Sequence, residues 1–249
     1  MGRLDKETFV CLDCETTGLD PEEDRVIEVA AVRFNLDGIM EQFDSLIDPE
    51  RLISAESMAI HHITDDMVKG KPKIAEVLPE LLKLMGSDII VGHGIGFDIA
   101  LIVNAARRAS VPCNLAKNKS LDTLRMARLY GGSPVNSLDQ LRQHFNVSYE
   151  GTHRALSDVI VNVEVFKHLA RDFKNTEDLF QALSKPVMLK NMPLGKHKGR
   201  PIKEVPIEYL HWAANKDFDQ DLLFSLRSEI NRRKKGNLFT QSSNPFSKL

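Results

Sequence analysis

Residues Phe9 to Gly18 read FVCLDCETTG, an apolar run that ends on two acids and a turn. In a strand, side chains two positions apart share a face, so Asp13 and Glu15 point the same way with Cys11 beneath them. Two carboxylates side by side in one pleat repel each other. A hard cation held between them relieves that repulsion, and oxygen ligands of this kind suit magnesium or manganese. An Asp-x-Glu pair at a strand end is also what a solvated turn looks like, so the rest of the chain has to decide.

Working outward, Arg25 to Phe34 (RVIEVAAVRF) is β-branched and apolar enough for a buried strand. Asn35-Leu36-Asp37-Gly38 reads as a hairpin connection, and Ile39 to Ile47 returns as a third strand. Apolar residues at helical spacing then mark a helix over Ile74 to Met85. Asp88 to Gly92 (DIIVG) is short, apolar and bounded by turn residues, as a central parallel strand is. After the turn His93 to Gly96, a helix runs from Phe97 to Arg108 with Asp98 in its first turn. A third carboxylate thus lies just past the C-terminal end of a strand, where open α/β sheets place their sites. Ser120 to Thr123 leads into another helix with Asp122 as its N-cap, and Ser137 to Phe145 is a further amphipathic helix. Gly151-Thr152-His153 forms a loop, and a long helix follows from Arg154 to about Phe173 with Asp158 in its second turn. Strands first, then strand and helices in alternation, argue for a mixed sheet covered by helices on both faces.

The 249 residues suffice for one ordinary domain and a small second one. The 42% hydrophobic and 27% charged content are those of a soluble globular protein. No apolar run approaches ~18 residues and no signal peptide is visible, so no membrane association and a cytoplasmic location are expected. Three cysteines, Cys11, Cys14 and Cys113, do not suggest a disulfide framework, and the Cys11/Cys14 pair faces opposite sides of a strand, with no second pair to complete a zinc site. The net charge of -2 hides an asymmetry: residues 185 to 235 hold 12 Lys+Arg against 6 Asp+Glu, while residues 1 to 184 hold 20 against 29. An acidic body with a basic appendage suits a polyanionic substrate, gripped by cations and worked on by carboxylate-bound metal.

Asp13, Glu15, Asp98 and Asp158 sit at the ends of elements that one sheet can bring together. Four carboxylates in one cleft repel strongly unless divalent ions neutralise them, and two such ions about 4 Å apart are the arrangement that hydrolyses phosphodiesters. His153, five residues before Asp158, can take the proton from the attacking water, because imidazole titrates near neutral pH.

The strings LDCETTGL, VGHGIGFD and HRALSD resemble the three exonuclease motifs of the DEDDh exonucleases. That family includes the proofreading subunit of bacterial replicative DNA polymerase and exonuclease X, and the match covers roughly Thr8 to Phe173. The resemblance implies a ribonuclease H-like mixed five-stranded sheet with helices on both faces, followed by a small C-terminal α+β domain. It further implies two Mg2+ or Mn2+ ions, with Asp13 bridging them, Glu15 and Asp158 completing one, and Asp98 holding the other. His153 is the implied general base. The backbone at Thr16 is where the family packs the terminal nucleotide, and Glu56 and His61, within ESMAIHHIT, carry over as contacts to the 3′ end. Read from the residues alone, Glu56 is a helix-surface acid and His61 a loop histidine. Two positions depart from the family: His62 stands where a small residue is usual, and Gly94 where Asn is frequent.

The domain organisation expected is an exonuclease domain over 1–175, a linker over 176–191, a small basic domain over 192–235 and a disordered tail over 236–249. Met192 to Pro206 (MPLGKHKGRPIKEVP) reads as a small hairpin, and Ile207 to Ala214 and Leu222 to Arg233 as two helices. This stretch resembles a domain found behind the nuclease in some exonuclease X-like proteins. Its charge suits holding single-stranded backbone through Lys196, His197, Lys198, Arg200 and Lys203, with Tyr209 or Trp212 for stacking. The simpler expectation is that Trp212 forms the core of so small a domain. The function expected is a 3′–5′ exonuclease acting on DNA 3′ ends and releasing nucleoside 5′-monophosphates in proofreading or repair, as monomer or homodimer, with a polymerase or repair partner. Two alternatives stay open at this stage: trimming of RNA ends, and a nucleic-acid-binding module without turnover.

Overall fold

A computed structural model describes residues 3–133, 135–148, 154–216 and 218–242. The chain forms two compact units, Met1–Ala182 and Leu183–Leu249.

In the first unit, strands β1 (Phe9–Thr16), β2 (Val26–Phe34), β3 (Ile39–Leu46), β4 (Ile89–Gly92) and β5 (Ser120–Asp122) make one sheet in the order β3-β2-β1-β4-β5. β1, β2 and β3 pair antiparallel, and β4 and β5 run parallel to β1. The helices are α1 (Ala55–His61), α2 (Asp65–Val68), α3 (Ile74–Met85), α4 (Gly96–Arg108), α5 (Thr123–Tyr130), α6 (Leu138–His144), α7 (Ala155–Ala170) and α8 (Thr176–Ala182). The mixed five-stranded sheet is the expected ribonuclease H-like arrangement. Its fifth strand, three residues long, is too short for a period-2 pattern, and the sequence shows it only as the approach to a helix.

Alternation along β1 sorts its side chains between two layers. Val10 and Leu12 join Leu78, Leu81, Leu101 and Ile102 of α3 and α4 in one buried cluster. Phe9 faces the other way and meets Phe34 and Phe166, with ring centroids 5.5 and 5.0 Å away. Cys11 lies on that second face too, where its Sγ accepts from Asn162 Nδ2 at 3.5 Å. Phe166, Asn162 and Asp158 are spaced four apart on α7, one stripe of a helix. The stripe runs along β1 so that Phe166 covers Phe9, Asn162 covers Cys11, and Asp158 reaches the end that carries Asp13 and Glu15.

In the second unit the helices are α9 (Ile207–Ala213) and α10 (Gln220–Ser242). Its core is Met192, Ile202, Val205, Leu210, Ala213, Ala214, Leu222, Leu226 and Ile230. Four expectations change in this unit. Trp212 is not in this core but 51% exposed, because α9 turns Leu210 and Ala213 inward and leaves position 212 outside. The stretch 183–191, expected as linker, packs into this unit: Leu183 and Val187 are buried, Asp221 accepts from the Val187 N–H at 2.9 Å, and Ser225 from the Leu189 N–H at 2.8 Å. α10 continues past Arg233 to Ser242 rather than giving way to a disordered tail at 236, since no helix-breaking proline falls in that span and Gly236 alone does not stop it. The expected hairpin is reduced to one bridge, Asn191 to Pro201, closed by Met192 N–H to Arg200 O. Among the described residues, no helix is long and apolar enough to cross a membrane.

Candidate active site

β4 pairs with only the first half of β1, from Phe9 opposite Ile89 to Cys11 opposite Val91. Beyond Cys11 the β4 edge of β1 is therefore without a strand, and its backbone donors need other partners. Asp98, in the first turn of α4, supplies one by accepting the Cys14 N–H at 3.0 Å. The notch left by the short β4 is where the acids gather.

Asp13, Glu15 and Asp158 each offer a carboxylate oxygen, and the three oxygens all lie within 4.8 Å of one another. Asp158 falls in the first turn of α7, not the second, because that helix starts at Ala155. Asp98 stands outside this trio and is only 6% exposed.

The electrostatics follow from the crowding. Burial drives the Asp13 carboxyl well above its ordinary value, and the charges of Asp98, Asp158, Glu15 and Glu28 push it further. Glu15 is raised from 4.5 to about 7, first by burial, then by Asp158, Glu28 and Asp98, with Arg154 opposing. Asp98 is raised from 3.8 to about 7 by burial, against the hydrogen bond from the Cys14 backbone. Acids held near neutrality in this way are poised to exchange protons for a cation. A trio of carboxylates with no sulfur or nitrogen in the donor set fits a hard divalent ion.

Glu28 and Arg154 belong to the site and escape the sequence reading. Glu28 lies opposite Glu15 in the β1–β2 register, only 3% exposed, and its carboxylate accepts from Arg154 Nε and Nη2 and from the Ala155 N–H. Arg154 precedes α7 and has no side-chain cap of its own, so Glu28 caps the helix from across the sheet. The visible signal is a lone acid inside the apolar strand RVIEVAAVRF, together with an Arg in HRALSD.

Of the remaining expected residues, Thr16 is buried at the end of β1, where its hydroxyl donates to Gly18 O. Glu56 is exposed in the first turn of α1. His61 is the last residue of α1 rather than a loop residue, and it is 2% exposed. Its Nδ1 accepts the Ile63 N–H at 3.0 Å, and its Nε2 is buried without a hydrogen-bond partner. Burial lowers its pKa, partly offset by the Thr16 backbone. Ser57 Oγ donates to Thr17 O and ties α1 to the end of β1. Both departures from the family pattern fall at left-handed backbone, His62 with φ 60 and Gly94 with φ 78. Gly and Asn are the residues that adopt this region most readily, which explains Gly94 as a stand-in for Asn. His153 lies outside the described residues.

Comparison with known proteins follows the same outline. A family model described as an exonuclease matches residues 10–166. The chain belongs to this exonuclease family. The exonuclease is 38% identical over 160 residues to the DNA polymerase III subunit epsilon of Aquifex aeolicus, covering 64% of this chain and 78% of that one. With the epsilon subunit of Treponema pallidum it shares 35% identity over 161 residues, 64% of this chain and 74% of the other. It also matches the PolC-type DNA polymerase III of Listeria innocua at 36% identity over 177 residues, which is 71% of this chain but 12% of that much longer protein. Among solved structures it superposes on exonuclease X in complex with 5′ overhanging duplex DNA at a TM-score of 0.56, with 26% identity, covering 70% of this chain and 98% of the other. Escherichia coli exonuclease I bound to a dA16 oligonucleotide gives a TM-score of 0.62 at 21% identity over 72% of this chain and 43% of the other, a likeness of fold alone. These matches place the exonuclease in the 3′–5′, divalent-metal-dependent DEDDh group. A second model, named for a quorum-sensing-regulated virulence factor, matches residues 181–229, all but the first two of them in the small unit.

Proposed function

We propose that the chain removes nucleoside 5′-monophosphates one at a time from the 3′ ends of DNA, single-stranded or frayed, in proofreading or repair. The observation that carries this reading is the trio of carboxylates from β1 and α7, gathered within 4.8 Å of one another. Asp13 and Glu15 are both driven up in pKa by burial and then by the neighbouring carboxylates. Such a group is stable as a set of anions only with compensating positive charge. The relatives that match over most of their length are polymerase subunits, and the exonuclease X structure holds DNA. Both support DNA as substrate, and the polymerase subunits support a polymerase as partner.

In this reading Asp13, Glu15, Asp158 and Asp98 are the residues that would hold two Mg2+ or Mn2+ ions, Asp13 contributing to both, Glu15 and Asp158 to one, and Asp98 to the other. Divalent ions bound there supply Lewis acidity toward a water and the phosphodiester oxygens. His153 takes the proton of the attacking water. Thr16 packs the terminal nucleotide, and Glu56 and His61 touch its 3′ end. Glu28 and Arg154 fix the first turn of α7 and with it the carboxylate of Asp158.

The test is digestion of end-labelled single-stranded DNA, frayed duplex and matched RNA with magnesium or manganese. Mononucleotides with a 5′ phosphate, released from the 3′ end of DNA, are expected. Faster loss of the RNA would replace DNA by RNA as substrate, and no product with either metal would remove the catalytic reading.

A further inference from the structure

The small unit carries an aromatic strip at the edge of its core: Tyr209 packs against the core on one side, and Trp212 stands outside it. The ring of His197 meets Tyr209 edge-on with centroids 4.6 Å apart, and Tyr209 meets Trp212 at 5.1 Å. Lys216 Nζ lies 5.2 Å from the Trp212 ring centre. Trp212 is 51% exposed, although burying it would add more to a core of this size than any other side chain in the unit. An aromatic left half in water beside cations is the make-up of a surface that stacks on something flat and anionic.

The strip is held in shape. Tyr209 and Trp212 sit three apart on α9, one face of a helix. The turn carrying His197 is closed by Lys198 N–H to Gly195 O and Gly199 N–H to Met192 O. Gly195 has φ 74, and a Cβ there would lie 2.6 Å from the Tyr209 hydroxyl, so only glycine lets the turn sit on that ring. The turn therefore sets Lys196 and Lys198, both exposed, on either side of His197 at one end of the strip, while Lys216 marks the other.

The charge around it is mixed, with more cations than acids and the cations unpaired among the described residues. Among the described residues, no carboxylate pairs with Lys196, Lys198, Arg200 or Lys203. Several acids of the unit are occupied elsewhere: Glu229 by Arg232 and Arg233, Asp221 by the Val187 N–H, and Asp219 by the N–H groups that open α10. Glu204 and Glu208 stay exposed nearby, against the cations named.

We propose that the small unit is a single-stranded nucleic-acid grip, in which bases stack on Tyr209 and Trp212 and phosphates lie against Lys196, Lys198 and Lys216. An unpaired strand offers a base face and a backbone charge at alternate positions, and the strip offers the complement of each. A duplex hides its base faces in the stack and fits only the charge. The site is built from residues of the small unit alone, so it stands or falls apart from the carboxylate site.

Trp212 is the only tryptophan in the chain, so its emission reports this surface and nothing else. The full chain, with chelator present to prevent turnover, is titrated with oligo-dT of about 12 nucleotides, a length within the site sizes of such surfaces. Saturable quenching is expected, weakening as salt rises, with a blunt duplex of equal length much less effective. Replacing both turn lysines (Lys196→Gln with Lys198→Gln) keeps the fluorophore and should flatten the log–log salt slope by about 1.4, two phosphates' worth. Trp212→Ala should weaken binding of a labelled oligonucleotide by about 5- to 150-fold, the range for one lost stacking partner, and Trp212→Phe should restore most of it. Emission unchanged by oligo-dT at the lowest salt, equal quenching by duplex, or unaltered binding by Trp212→Ala would each overturn the proposal. Nuclease activity measured on the same protein with metal tests the carboxylate site separately, so failure of one site is distinguishable from failure of the other.

Discussion

Replacing Glu15 by Gln should stabilise the metal-free protein, and the size of the gain can be worked out from the site. In the folded chain Glu15 stands at about 7 against an ordinary 4.5. At about 1.4 kcal/mol per pKa unit, holding it ionised costs the folded state about 3 kcal/mol, reduced to about 2 by the water reaching a partly exposed carboxylate. The sign follows from where each state keeps its proton. Below 4.5 folded and unfolded chains both hold it, and Glu15 adds no penalty. Between 4.5 and 7 the unfolded chain has released it while the folded chain has not, so this contribution falls as pH rises and is at its worst above 7. Urea denaturation in chelator should therefore find Glu15→Gln about 2 kcal/mol more stable than the unchanged protein near pH 8, with the difference vanishing near pH 4. Saturating magnesium near pH 8 should reverse the order, since a bound ion stabilises only a chain that can hold it. A variant no more stable than the parent near pH 8 without metal would refute the account of the site as a repelling cluster.

The other predictions concern the remaining residues of the site. Asp13→Ala and Asp158→Ala should abolish turnover while leaving circular dichroism and the unfolding midpoint close to or above those of the parent, because each removes a repelling charge; an active Asp13→Ala protein would rule out the assigned site. His153→Ala should keep metal binding by calorimetry yet lower the rate by about two to four powers of ten, the usual share of a general base. Arg154→Ala should cost more stability than Glu28→Gln, about 3 to 5 against about 1 to 3 kcal/mol, because it strands a buried carboxylate among other acids whereas the Arg154 side chain, 44% exposed, can turn to water. Denaturation midpoints in the reverse order would show that Arg154 is not what makes the buried Glu28 charge tolerable.

The sequence by itself determined whatever depends on neighbours along the chain. Period-2 alternation put Asp13, Glu15 and Cys11 on one face of β1, and helical spacing marked α3 and α4 and placed Asp98 at the start of one of them. These readings hold because backbone geometry fixes which side chains share a face, whatever packs above. Tertiary structure alone decided the pairings across elements. That Asp158 joins Asp13 and Glu15 depends on how α7 lies along β1. That Asp98 caps the Cys14 N–H depends on β4 ending at Gly92. Glu28 looked like one acid in a strand until register set it opposite Glu15 and beneath Arg154, 126 residues away. Trp212 was expected inside and lies outside, because Leu210 and Ala213 already fill the space that α9 covers. Burial and partnership are settled by what a side chain meets in space, and a one-dimensional pattern records only what it meets along the chain.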